Sequence, residues 1–185
     1  MVGIVRITAV ALLATAVGMA LSAQPASAAS ARSLELDARY ALRQLYATQP
    51  SAKLLGSKAK AILVFPEMVK AGFMFGGQLG EGVRFEGDRV KGFYSSVAAS
   101  YGLQAGIQSF GYVLFFMNNA ALRQLDATNG FELGVGPSIV IVDEGIGKSL
   151  TTNTITSDTY AFIFSQKGLM AGLGIQGSKI TRIDK

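Results

Sequence analysis

From residue 61 onward the chain is a succession of apolar runs rich in Val, Ile, Phe and Tyr, bounded by Gly, Asp or Asn. The gaps between these runs are mostly too short for the crossovers that parallel strands require, so the pattern predicts a mainly antiparallel sheet. The expected strands cover residues 61–65, 72–79, 82–85, 90–94, 102–117, 133–142, 159–164 and 168–183. Glycine recurs inside them, at Gly72, Gly76, Gly77, Gly80, Gly82, Gly102, Gly106 and Gly111. Glycine weakens a strand, and inside one it marks a bulge, a tight bend or the close passage of another backbone. A small, strongly coiled sandwich or barrel supplies all three without any ligand.

The first part of the chain follows a different period. Over residues 33–47, Leu34, Ala38, Ala41, Leu42 and Leu45 recur at three- and four-residue steps, which places them on one stripe of a helix with Arg39 and Arg43 opposite. Glu35 precedes Arg39 by four residues, the favourable order for a pair on a helix. The Gln49-Pro50 break ends this helix, and Ser51 is expected to cap a shorter second one through about residue 59. One further short helix is expected over residues 119–127, begun by an Asn pair and ended near Asn129-Gly130. An eight-residue similarity between residues 41–48 and 121–128 stops at its own edges and reads as two similar amphipathic helices, not as a stacking repeat.

Residues 1–28 read as a secretory signal: Arg6 forms a positive start, residues 7–21 an apolar stretch, and Ala26-Ser27-Ala28 a small-residue cleavage site. The apolar stretch is shorter than the roughly 20 residues of a membrane-spanning helix. Cleavage after Ala28 would leave residues 29–185 as one exported domain, periplasmic or extracellular and at most peripheral on a membrane. The chain has no Cys, so attachment through a lipidated cysteine and disulfide bonding are both ruled out. Residues 29–70 carry seven basic and three acidic side chains, whereas residues 71–185 carry nine of each. The positive surplus of the mature chain therefore sits at its beginning and suits an anionic partner.

With neither His nor Cys, the chain lacks the usual general base, the usual thiol nucleophile and the common zinc and copper ligands, so no metal or cofactor is expected. Ser57-Lys58-Ala59-Lys60 fits the Ser-x-x-Lys pattern of serine acyl-enzymes, but the companion Ser-Asp-Asn and Lys-Thr-Gly motifs are missing. Residues 172–177 spell Gly-x-Gly-x-x-Gly with only eight residues to follow, too few for a phosphate-binding helix. Gly147-Lys148-Ser149 lacks the first glycine of a phosphate loop, and Asp143-Glu144-Gly145 reads as a turn. Export and the lack of a recognised module argue against nucleic acid as a partner.

Residues 58–66 read Lys-Ala-Lys-Ala-Ile-Leu-Val-Phe-Pro, followed by Lys-Ala-Gly-Phe-Met-Phe-Gly-Gly at 70–77 and Gly-Glu-Gly-Val-Arg-Phe at 80–85. Gly102-Leu103-Gln104-Ala105-Gly106, the 113–118 run with Ala121-Leu122-Arg123, Leu133-Gly134, the 168–173 run and Gly177-Ser178 come after them in order. This series, spanning most of residues 33–183, resembles the signature of the SYLF-domain family. Where that family often has Trp-Ser, this chain has Phe93-Tyr94-Ser95. The resemblance implies a non-enzymatic lipid-binding module, since eukaryotic relatives bind phosphoinositide-rich membranes and some bind actin filaments, while bacterial relatives are exported. The combined expectation is an α+β domain with N-terminal amphipathic helices on a Gly-rich, mainly antiparallel β-sandwich or barrel-like sheet. Its basic residues Arg39, Arg43, Lys58, Lys60 and Lys70 would meet anionic phospholipid at a membrane surface, with Phe73 and Phe75 as further apolar contacts. The alternatives are a protein-interaction module of the cell envelope or with a host-facing, actin-type partner, and an enzyme using Ser57 and Lys60.

Overall fold

The computed structural model describes residues 31–127, 131–132, 139–168 and 178–185; the side chains of residues 73–75, 100–105, 131–132 and 144 are outside the described set. The expected signal at residues 1–28 and the Gly-x-Gly-x-x-Gly run at 172–177 therefore lie outside the described residues.

Helix α1 spans Ala31–Thr48 and buries Leu34, Ala38, Ala41 and Leu45, the stripe its period dictates. Helix α2, Pro50–Lys58, follows at once. Its cap is Gln49 with Pro50 in the first turn and no side-chain capping bond, and Ser51, expected as the cap, lies buried one position inside. Proline suits that place because its fixed φ is helical and the first turn needs no N–H donor.

Two strands dominate the rest. β1 runs Ala61–Glu86 and β2 Arg89–Phe116, joined by the two-residue turn Gly87-Asp88 with Gly87 at φ 58°. They pair antiparallel along their whole length, from Ala61 with Phe116 to Glu86 with Arg89. The four short strands expected over residues 61–94 are thus parts of one hairpin. Pro66 and the internal glycines bend it at register shifts (Phe65/Met68, Phe73/Phe75, Arg84/Phe85) without ending it.

The bends fold the hairpin onto itself. A methyl group at Gly80 would fall 2.4 Å from Met68 Sδ and 2.8 Å from the Glu67 carbonyl oxygen, and one at Gly82 would fall 2.7 Å from Phe65 Cδ1. Glycine is needed at both positions because two stretches of one strand pass within backbone distance there. The layer nearer the turn is extended by β6 (Lys179–Ile183) and β3 (Phe131–Glu132), the other layer by β5 (Thr159–Gly168) and β4 (Ile139–Ile141). All pairings are antiparallel except β4 with β5. The architecture is α+β, with a mostly antiparallel, curled sheet that has six strands among the described residues.

Two cores result. Leu63, Phe65, Met68, Phe110, Tyr112 and Ile180 fill the inside of the curl, and Phe65 stacks on Tyr112 with centroids 5.9 Å apart. On the outside, Val64, Val83, Phe85, Val113 and Phe115 meet the buried stripe of α1. Helix α3, Asn119–Leu125, is capped by the Asn118 side chain, which accepts from the Ala121 N–H at 2.9 Å. The sequence reading provides for one internal helix, but a second occurs: α4 spans Glu144–Ser149 where a turn is expected. Its cap, Asp143 Oδ1, accepts from the Ile146 N–H at 2.8 Å and offsets the weakness of two glycines within one short helix.

Candidate functional site

The basic residues of the N-terminal segment divide into two groups. Arg43, Lys58 and Lys60 are exposed. Lys58 closes α2, and Lys60 is fixed just before β1 by its N–H to the Phe116 carbonyl at 2.8 Å. Arg39 instead holds the fold together. Its guanidinium pairs with Glu35 at 2.8 Å, donates to the Asp88 carbonyl at 2.7 Å and lies 4.7 Å above the Phe85 ring, fastening α1 to the hairpin turn. Lys70 is 3% exposed and sits opposite Gln108, two positions beyond buried Met68 on the inner side of β1. The expectation of an outward Lys70 is therefore corrected, because strand alternation turns it toward the interior. The side chains of Phe73 and Phe75 lie outside the described residues.

The outer side of α1 adds residues that the sequence reading passes over. Leu36 and Tyr40 are 60% and 59% exposed. Arg32, Leu36, Tyr40 and Arg43 follow each other at steps of three or four residues, so they share one side of the helix, opposite the buried stripe. The signal was present in the sequence: Leu36 and Tyr40 are apolar yet fall outside the core period.

A second cluster joins α3 to the sheet. Arg84 Nη1 donates to both Asp126 carboxylate oxygens, at 2.7 and 2.8 Å, and the Tyr94 hydroxyl donates to Oδ1 at 2.9 Å. Burial alone would raise the Asp126 carboxyl, but the bonds from Arg84 and Tyr94 and the Arg84 charge outweigh it and hold it below the usual carboxylate range. Burial, helped by the bond to Asp126, pushes the Tyr94 phenol up to about 12. All three groups are thus locked in the protonation states that hold the structure, and none is poised for proton transfer near neutrality.

A cavity of about 400 Å³ lies between α1 and β5, with Asp37, Tyr40, Glu67, Ser109, Ser165 and Lys167 among its lining. A neighbouring one of about 280 Å³ shares Phe164 and Ser165 with it. Ser165 has φ 54°, unusual for a side-chain-bearing residue, at the bulge where β5 departs from register with β2. The Ser57 hydroxyl donates to the Leu54 carbonyl at 2.8 Å, as on an ordinary helix surface. Among the described residues no group of three or more acidic side chains is placed to hold a metal ion, and no helix is long and apolar enough to cross a membrane.

A family model described as Ysc84, Las17-binding protein actin regulator, matches residues 97–185. Over those residues the chain is similar to the Ysc84 (SYLF) family. The Ysc84 match takes in most of β2 and everything after it, and leaves out α1, α2 and β1. The motifs at residues 58–85 that carry the sequence resemblance therefore lie beyond it. The Ysc84 description is that of a binding protein and names no reaction. No curated protein matches the chain.

Proposed function

We propose that this protein is an exported, non-enzymatic module that binds anionic phospholipid headgroups at a membrane surface through the outward side of its N-terminal helices. The observation that carries this reading is the exposure of Leu36 and Tyr40 on the side of α1 that also bears Arg32 and Arg43. A helix with exposed apolar residues among cations suits the headgroup boundary, where each basic side chain near anionic lipid contributes on the order of 1 kcal/mol. Lys58 and Lys60 add to the same charge. Arg39 and Lys70 take no part, because their places in the fold occupy them.

Co-sedimentation with neutral and anionic vesicles across a salt series tests the proposal. Replacing Arg32, Arg43, Lys58 and Lys60 together by Ala is expected to weaken anionic-vesicle binding by roughly ten- to a thousandfold while leaving the circular dichroism spectrum unchanged. Equal binding to both vesicle types, or none to either, would sink it. Export belongs to the same proposal and rests on residues 1–28. Intact-mass measurement of the exported protein should find a chain beginning at Ala29, and an uncleaved chain retained in the cell would overturn that part.

A protein-interaction role is the second reading, favoured by the family description, which names Las17 binding and actin regulation. On that reading binding persists without lipid and depends weakly on salt, and the four-site variant binds as well as the native chain.

A further inference from the structure

The outer face of the β1–β2 hairpin changes character along its length. Near the turn and the free ends it is covered: Val83, Phe85, Val113 and Phe115 pack beneath the helices. Toward the central bend the same face, carried by the same alternating positions, is bare. Leu79 and Val97, direct partners across the two strands, are 61% and 55% exposed, and Ile107 is 68% exposed opposite an exposed Ala71. Gly77 and its partner Ala99 are exposed as well.

The sequence of this bend contains no charge. Residues 71–80 and 92–122 include no Asp, Glu, Lys or Arg. The solvated face of an antiparallel sheet ordinarily carries polar side chains. Here the charges stand at the border of the bare face. Lys167 lies opposite Ser109, two residues from Ile107, and Lys179 lies opposite Val97, and both lysines are exposed. One lysine belongs to each layer of the curl. Exposed apolar side chains flanking the bend with lysines at their border match the depth profile of a bilayer, since hydrocarbon excludes charge while long basic side chains reach back to anionic headgroups.

We propose that the uncharged central bend of the β1–β2 hairpin enters the acyl region of a lipid bilayer, placing Leu79, Val97 and Ile107 below the headgroups and Lys167 and Lys179 among them. The inference rests on the lipid-binding reading and deepens it: α1 supplies attraction to the surface, and the bend supplies penetration.

The chain has no Cys, so a single introduced cysteine labels one position only. Leu79→Cys, Val97→Cys and Ile107→Cys would each carry an environment-sensitive fluorophore, with exposed Thr152→Cys as the control. With vesicles of mixed phosphatidylcholine and phosphatidylglycerol, the three bend positions should shift to shorter wavelength and be quenched by lipids spin-labelled in the acyl chain, while the control does neither. Unlabelled Leu79→Asp and Ile107→Asp variants, checked for native circular dichroism, should lose at least tenfold in vesicle affinity. Protein that sediments with vesicles while all three bend labels remain unquenched would overturn insertion and leave the α1 reading standing. Absence of sedimentation would overturn both. A concentration-dependent shift at the bend without vesicles, matched by a doubled mass in solution, would assign the face to a second copy of the chain and overturn the proposal.

Discussion

Gly82 and Gly77 share a strand and a residue type, but their surroundings call for opposite outcomes. A methyl group at Gly82 would fall 2.8 Å from the Val64 carbonyl oxygen as well as against the Phe65 ring, whereas one at Gly77 would find only the Ala98 carbonyl oxygen, at 3.8 Å. Gly82→Ala is therefore expected to cost about 1–3 kcal/mol, since a carbonyl cannot rotate away as a side chain can. Gly77→Ala should be neutral or stabilising by up to about 1 kcal/mol through the reduced freedom of the unfolded chain. Urea denaturation of the two variants checks both expectations, and equal destabilisation would count against the fold-back of β1. At this same scale the sequence misleads about Lys70. Its type suggests solvent, but its place two residues after Met68 on a strand puts it inside. Arg39 was half legible: Glu35 four residues earlier announces a local pair, while the bond to the Asp88 carbonyl depends on a turn distant in sequence.

Elements were readable where one periodicity governed a long segment. The stripe Leu34, Ala38, Ala41 and Leu45 specifies α1 because nothing else in that segment competes with it. The hairpin is legible only in pieces because glycine serves both as a turn residue and as the residue that lets a strand bend, and spacing alone does not separate the two uses. Helix α4 was hidden by Gly145 and Gly147, although its Asp143 cap stood in plain view. Helix α3 depends on a long-range tether. Asp126 titrates below the usual range when folded, so its contribution is fully present above the unfolded carboxylate pKa and is lost as pH falls through the lower folded value. Asp126→Asn should flatten that acid limb in pH-dependent thermal melts. It should also cost about 1–2 kcal/mol near neutrality, less than for a fully buried pair because the Asp126 side chain is 41% exposed. An unchanged acid limb in the variant would remove Asp126 from the account.

For the molecule as a whole, the sequence conveyed sheet type, charge placement and helix order, because each follows from local composition. It did not convey which outward residues are left uncovered, because that depends on how far α1 reaches across the sheet. Leu36, Tyr40, Leu79 and Ile107 come from distant segments, and their exposure is decided only by the packing of the folded chain. The long hairpin carries one last implication. Its turn at Gly87 is local, but Ala61 and Phe116, its outermost partners, are far apart in sequence, so their pairing carries the larger loop-closure cost and is the slower to form. Until that pairing is complete the chain holds open a long apolar edge on which neighbouring chains can pair. The hazard in the life of this protein is thus concentrated in the interval before closure, when assembly competes with aggregation.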